Sequence, residues 1–73
     1  METRDMVRMA NQISEFFQSY GEKAAIEGIA DHISKFWEPR MRRMYFAHIE
    51  AGGEGFSELV KKSAASVKRP KAA

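Results

Sequence analysis

The chain has 73 residues, no cysteine and a formal net charge of +2, yet residues 1–60 hold seven basic and ten acidic side chains and are net acidic. A chain of this length forms one small domain at most, and without cysteine it has neither disulfides nor a thiolate metal site to support a thin core. Since no apolar run approaches the roughly 18 residues that span a bilayer, and the charged start is followed by no secretory segment, we expect a cytoplasmic protein without a membrane partner.

Two long helices are predicted in the first half of the chain. Apolar side chains, Phe16 and Phe17 among them, recur every three to four residues from Met6 to Tyr20, within about 60° of one line on a helix. Gly21 follows the last of them and can adopt the left-handed conformation that ends a helix. A second apolar arc, to which Phe36 and Trp37 belong, predicts a helix over residues 23–37, which ends before Pro39 because the residue preceding a proline avoids the α region.

Two shorter helices follow. Proline is favoured at the first position of a helix, and the pattern predicts helix 3 over residues 39–51, ended by a pair of glycines. Ser57 suits the N-cap of helix 4, which extends to Ala64. We therefore predict an all-α fold, a small bundle of three to four short helices over residues 1–65, with a disordered basic C-terminal tail over residues 66–73.

Helix 3 carries more apolar surface than one small core requires. At about 100° per residue, its apolar and aromatic side chains spread over roughly 200°. A helix packed on a single core needs a stripe only modestly wider than about 100°. The side chains concerned are Met41, Met44, Tyr45, Phe46, His48 and Ile49. We expect another protein to cover the excess.

No constellation of residues predicts catalysis or a bound cofactor. Four short helices leave no room for a pocket walled by several elements, and the two histidines, His32 and His48, lie on different helices. Each histidine is expected to be half-buried with one hydrogen bond, not a metal ligand. The glycines at residues 52–55 follow a helix and lie beside glutamates, which favours a helix stop over a phosphate-binding loop. We predict no catalytic, cofactor-binding or metal-binding residue, and a protein that is not an enzyme by itself.

Basic and aromatic residues cluster around the start of helix 3. Arg40, Arg42 and Arg43 follow Trp37 closely, but they point in different directions on a helix, whereas phosphate-binding proteins present one coherent basic stripe. Arginine and tryptophan are also the anchors favoured at protein–protein interfaces. We therefore expect a protein partner and no nucleic acid. A small helical nucleic-acid-binding regulator is the alternative, and a homodimer paired through helix 3 is a third interpretation.

Three segments of the sequence carry a resemblance to a known family. They are MANQI at residues 9–13 with Phe16-Phe17 after it, IADHISKFWEPRMR at residues 29–42, and His48 with GGEG at residues 52–55 and Leu59-Val60 after it. Together they resemble the delta subunit of the soluble, NAD-dependent, molybdenum-containing formate dehydrogenases over most of residues 6–62. Glu38 and Phe56 stand where the family pattern leads us to expect aspartate and leucine.

The resemblance implies a small accessory subunit without a redox centre of its own. In complexes of this family, the large catalytic subunit holds bis-molybdopterin guanine dinucleotide and iron–sulfur clusters, and smaller subunits hold FMN, further clusters and the NAD site. The delta chain is expected to bind the large catalytic subunit and to support its assembly, its molybdenum-cofactor insertion or its stability.

Ten residues of this sequence carry the family motif: Asn11, Asp31, His32, Phe36, Trp37, Pro39, Arg40, Arg42, His48 and Gly53. Asn11 lies roughly 160° from the apolar stripe of helix 1, so the folding of that helix does not require it, and a partner contact is our hypothesis. The motif and the excess on helix 3 together predict the following partner-binding residues: Asn11, His32, Trp37, Arg40, Arg42, Tyr45, Phe46 and Ile49.

Overall fold

The computed structural model of the protein describes residues 2–70. Over this part of the chain there are four α-helices and no strand: α1 (Thr3–Phe17), α2 (Glu22–Phe36), α3 (Pro39–Glu50) and α4 (Glu58–Ser63). A 3-10 turn, Gln18–Tyr20, follows α1. The predicted all-α fold is confirmed. None of these helices has the length and apolar character needed to cross a membrane.

Single residues determine where the helices begin and end. Gly21, at φ +94°, turns the chain from the end of α1 into α2, and Pro39 occupies the start of α3, where its missing N–H is not needed. At the other end of α3, the N–H of Gly53 donates to the carbonyl of His48 at 2.8 Å, in the manner of a left-handed glycine cap. The hydroxyl of Ser57 accepts a backbone N–H of the first turn of α4 at 3.2 Å, which confirms the predicted N-cap.

Helices α1 and α2 form an antiparallel pair that approaches closely at one point. The ring of Phe17 lies over Gly28, where a Cβ atom would come within 2.6 Å of the ring. A glycine inside a helix costs about 1 kcal/mol relative to alanine. Glycine suits this position despite that cost, because the absence of a side chain lets the phenyl ring of Phe17 lie against the backbone of α2.

One hydrophobic core joins the four helices. Tyr45 lies at its centre, with ring centroids 5.1 Å from Phe46, 5.5 Å from Phe56 and 6.3 Å from Trp37. Its hydroxyl donates to the carbonyl of Val60 at 2.9 Å. Burial raises the pKa of the Tyr45 hydroxyl above its usual range, so this donor keeps its proton. The remaining buried members of the core are Met6, Ala10, Ile29, Ala30, Ile33 and Val67.

Helix α3 does not expose the excess apolar surface that we predicted. Tyr45 is 0% exposed and Phe46 5% exposed, and Met41, Met44 and Ile49 pack half-buried against the core. The prediction was wrong because it considered only the helices as segments that could cover the apolar side chains of α3. The loop after α3 folds back and places Phe56 in the core beside Tyr45. The wide apolar arc of α3 therefore requires no second protein.

The chain after α4 supplies further cover. Residues 66–70, which we call the C-terminal strap, lie against the bundle, whereas we predicted a flexible tail from residue 66. Val67 is buried, and the backbone N–H of Lys68 donates to the hydroxyl of Ser34 on α2 at 2.9 Å. A buried apolar side chain and a backbone hydrogen bond thus attach this polar segment to the bundle. Residues 71–73 of the predicted tail lie outside the described residues.

The C-terminal strap also reaches the apolar face of α3. The guanidinium carbon of Arg69 lies 4.2 Å from the centre of the Phe46 ring, within the range of a cation–π interaction. The same guanidinium is 3.9 Å from the carboxylate of Glu50. The strap thus places one of its side chains over the ring of Phe46.

Candidate partner-binding surface

Three of the eight predicted partner contacts belong to the core of the chain itself. Trp37, Tyr45 and Phe46 are each at most 5% exposed. Ile49 is half-buried and packs against the same core. Trp37, Tyr45 and Phe46 therefore stabilise the fold and offer almost no surface to another protein, whereas Ile49 keeps part of its side chain exposed.

Asn11 has a role within the fold that its position on the helix did not reveal. Its side-chain amide donates to the carbonyl of Gly55 at 2.8 Å, and its side-chain oxygen accepts the N–H of Ser57 at 2.9 Å. One residue of α1 thus fixes the loop between α3 and α4. Asn11 lies on the side of α1 opposite its apolar stripe because it bonds to this loop, and its position does not require contact with a second protein.

The arginines near the start of α3 diverge. Arg42 donates from Nη1 to the carbonyl of Ser34 at 2.9 Å and so satisfies one of the last carbonyls of α2. Arg40 and Arg43 are exposed. Because Arg42 turns towards α2, the three guanidinium groups do not form one basic stripe, and the nucleic-acid alternative lacks a coherent phosphate-binding surface here.

The histidines lie in two different environments. His48 is half-buried, its Nε2 is 2.6 Å from the carbonyl of Glu54, and its ring meets the ring of Phe56 edge-on, as expected of a structural histidine. His32 is also half-buried, but it stacks on Phe36 at a centroid distance of 4.9 Å and makes no hydrogen bond within residues 2–70. Over the same residues, no group of three His, Asp or Glu side chains is arranged to hold a metal ion.

An open groove of about 420 Å³ runs between α1 and α2. Among its lining residues Trp37 is buried and Phe17 is half-buried, and its only polar ones are Gln12 and His32. The other lining side chains are Met9, Ile13 and Phe16. The groove is therefore apolar along its base and carries two hydrogen-bonding side chains among its walls.

Exposed aromatic side chains extend this groove on both sides. Phe16 is 66% exposed, Tyr20 61% and Phe36 72%. The rings of Phe16 and Tyr20 are 6.2 Å apart, and Phe36 stacks on the groove residue His32. We call the groove together with Tyr20 and Phe36 the α1–α2 surface.

The size of this surface is informative. An aromatic side chain buries 150–250 Å² when fully covered, so the three exposed rings leave roughly 300–500 Å² of mostly apolar area in water. The largest apolar patch on a typical monomer is about 300–600 Å² and is often functional. A standard interface takes about 800 Å² from each partner. The α1–α2 surface thus has the size and composition of the central part of a protein–protein interface.

Sequence reasoning assigned Phe16 and Phe36 to the core-facing arcs of their helices and missed this surface. A signal was present in the two aromatic doublets, Phe16-Phe17 and Phe36-Trp37. Neighbouring residues on a helix point about 100° apart, so one small core accommodates only one member of each doublet well. Phe17 and Trp37 turn inward, and Phe16 and Phe36 remain outside.

Comparison with known families identifies the chain by its sequence. The family model for the NADH-dependent formate dehydrogenase delta subunit FdsD matches residues 5–64. No curated protein and no solved structure matches the chain. The matched range includes α2, α3 and α4, nearly all of α1, and every residue that lines the α1–α2 groove.

Proposed function

The chain belongs to the NADH-dependent formate dehydrogenase delta-subunit family, and on that premise we propose that it is a non-catalytic subunit that binds the large catalytic subunit of the enzyme through its α1–α2 surface. The observation that carries this proposal is the exposure of three aromatic side chains beside an apolar groove. Covering apolar area gains about 25 cal/mol per Å². A partner that covers this surface therefore removes from water the exposed large hydrophobic side chains of residues 2–70.

The proposed interface keeps some of the partner-binding residues that were predicted from the sequence, but it is centred on α1 and α2 instead of α3. His32 and Trp37 line the groove, so both stay in the proposed contact. Phe16 and Phe36 join them as the exposed aromatic anchors. Aromatic residues are enriched at the centres of interfaces, where a few of them supply most of the binding free energy.

We assign the redox chemistry of the proposed complex to its other subunits. The large catalytic subunit would hold bis-molybdopterin guanine dinucleotide and iron–sulfur clusters, and smaller subunits would hold FMN and the NAD site. This chain contains no cysteine, the residue that ligates iron–sulfur clusters in proteins. Its proposed role is to support the assembly, the molybdenum-cofactor insertion or the stability of the large subunit, in the cytoplasm.

Deletion of this chain tests the proposal. The other subunits are produced with and without it, and the tagged large subunit is purified from each preparation. We expect the chain to copurify with the large subunit at a fixed ratio, and its deletion to lower formate oxidation per cell. A large subunit that retains none of this chain, and that is equally abundant, loaded and active without it, would contradict the proposal.

The same preparations separate the proposed roles. Molybdenum and iron are measured per large subunit, together with the yield of intact complex. Loss of molybdenum with normal iron and normal yield indicates a role in cofactor insertion. Normal molybdenum in a reduced amount of complex indicates a role in assembly or stability.

A further inference from the structure

We infer that the C-terminal strap is a detachable cover, which opens and closes while the four helices stay folded and so controls access to the apolar face of α3. This opening is a property of the chain itself and goes beyond the proposed function. Three features carry the inference: the small number of contacts that attach the strap, the exposed charges that hold its end, and the packing of the core beneath it.

Few contacts attach the strap to the helices that it lies on. Beyond the turn that leaves α4, one hydrogen bond within residues 2–70 joins it to another helix, from the N–H of Lys68 to the hydroxyl of Ser34 at 2.9 Å. Val67 is buried, whereas both basic side chains of the strap are exposed. Holding such a segment in one conformation costs backbone entropy at every residue. The free energy that keeps the strap closed is therefore small.

Exposed charged groups hold the end of the strap. The guanidinium carbon of Arg69 lies 4.2 Å from the centre of the Phe46 ring, and its Nη1 is 3.9 Å from a carboxylate oxygen of Glu50. Arg69 and Glu50 are both largely exposed, and ion pairs of this kind contribute little because water and salt screen them. Opening returns both charges to water and leaves neither buried without a partner.

The centre of the core does not include the strap. Tyr45 packs its ring against Trp37, Phe46 and Phe56 and donates its hydroxyl to the carbonyl of Val60. The largest fully buried side chains of residues 2–70 likewise all precede the strap. Proteins open weakly attached segments locally, without unfolding as a whole. Opening of the strap leaves these central contacts in place.

Opening changes what the chain offers to a partner. Arg69 leaves the ring of Phe46, Val67 leaves the core, and the hydroxyl of Ser34 loses its bond to the strap. The α3 face gains exposed apolar surface and α2 a free hydroxyl. A segment that binds this face has to bind the open chain, so its apparent affinity is reduced by the fraction of chains that are closed. The strap thus competes with any contact on this side of α3.

Thiol labelling tests this inference, because the chain has no cysteine and each variant carries a single thiol. In the full chain, Val67→Cys places the thiol at the buried position of the strap, Ala65→Cys at an exposed position just before it, and Ala30→Cys in the core on α2. A cysteine packs as a small apolar side chain, and a buried one reacts with DTNB only when its segment opens. We expect the Val67→Cys thiol to react about 10–100 times more slowly than the Ala65→Cys thiol and at least about ten times faster than the Ala30→Cys thiol.

Urea distinguishes local opening from global unfolding. Below the unfolding transition, the labelling rate of Val67→Cys should rise less than about twofold per molar urea, and that of Ala30→Cys about fivefold, because urea favours states that expose much surface. Equal rates for these two variants, with the same dependence on urea, would mean that the strap opens only when the whole fold unfolds and would overturn the inference. A Val67→Cys thiol as reactive as that of Ala65→Cys would overturn it too, because the strap would then not cover α3.

The labelled chains show what opening does to the fold. The bulky, charged label on Val67→Cys prevents the strap from closing. We expect this chain to keep its helical circular dichroism and to bind the apolar dye ANS at least about twofold more than the labelled Ala65→Cys chain, since apolar surface is exposed. Loss of the helical signal, or unchanged binding of the dye, would contradict the inference.

Hydrogen exchange of the unsubstituted chain keeps the test decisive if Val67→Cys itself disturbs the fold. The amide of Lys68, which bonds to Ser34, is compared with the amide of Tyr45 in the core. We expect the Lys68 amide to exchange at least about ten times faster than the Tyr45 amide and with little dependence on urea. Exchange of both amides at one rate, with one urea dependence, would overturn the inference.

Discussion

Helix α3 and the α1–α2 surface carry comparable numbers of large apolar side chains, but only α3 is covered by the rest of the chain. Tyr45 and Phe46 of α3 are at most 5% exposed, whereas Phe16 and Phe36 are about two-thirds exposed or more. Irregular segments make the difference, because the loop that carries Phe56 and the C-terminal strap both lie over α3. No described segment lies over the groove. An apolar stripe therefore identifies a face that avoids water, and only the path of the connecting segments shows whether that face is free to bind a partner.

The largest expected effect is the difference in stability loss between a substitution in the core under α3 and one on the α1–α2 surface. Tyr45→Ala should destabilise the fold by about 3–5 kcal/mol, because it leaves a cavity in the core and an unpaired carbonyl at Val60. Phe36→Ala should change stability by less than about 0.5 kcal/mol, since its ring is largely in water already. Urea denaturation followed by circular dichroism measures both values. Equal losses of stability in the two variants would show that the two regions are not covered to different extents.

A second prediction concerns the residue that fastens the loop over α3. Asn11→Ala removes the hydrogen bonds to Gly55 and Ser57 and should cost about 1–3 kcal/mol. Gln12→Ala, at the next position of the same helix, removes no hydrogen bond within the described residues and is the matched control, with an expected change under about 0.5 kcal/mol. If the two variants were equally stable, Asn11 would not hold the loop.

The close approach of α1 and α2 gives a third prediction. Gly28→Ala should destabilise the protein by about 1 kcal/mol, because overpacking against Phe17 costs about 1–3 kcal/mol and outweighs the gain of about 1 kcal/mol in helix propensity. In a Phe17→Ala background the same substitution should instead stabilise. The double-mutant cycle is measured by urea denaturation. A gain in stability in the wild-type background would show that the ring moves aside without cost.

The smallest expected effect belongs to the C-terminal strap. Arg69→Ala removes the cation–π contact with Phe46 and the ion pair with Glu50, both near the surface, and should cost about 0.5–1 kcal/mol. Lys68→Ala keeps the backbone bond to Ser34 and is the control. Identical melting curves for the two variants would mean that the strap contributes no measurable cover to α3.

Much of the fold was predictable because single residues fix its boundaries. The 3.6-residue period placed the helices, Pro39 started α3, and Gly53 and Ser57 marked the end of one helix and the start of the next. The cover over α3 was not predictable in this way. Phe56 and Val67 stand alone in polar, glycine-containing or basic stretches, where no periodicity assigns them to a core.

The candidate surface was predictable only in part, for a related reason. Helical periodicity shows which side chains share a face, but it does not show how much of that face a neighbouring helix covers. Phe36 was placed in the apolar arc of its helix together with Trp37, although the two side chains point about 100° apart and only Trp37 is buried. Asn11 illustrates the opposite case, because a polar residue outside the stripe serves the fold through a loop more than 40 residues away in sequence.

Capture of the large catalytic subunit by charge-substituted variants tests most directly whether the α1–α2 surface is the contact. Phe36→Glu and Ala47→Glu each add one negative charge at an exposed position in the last turn of a helix, the first on the α1–α2 surface and the second on α3. With both variants folded as judged by circular dichroism, we expect Phe36→Glu to lower capture at least tenfold and Ala47→Glu to leave it unchanged. Undiminished capture by Phe36→Glu, with loss for Ala47→Glu, would contradict this assignment and return the interface to α3.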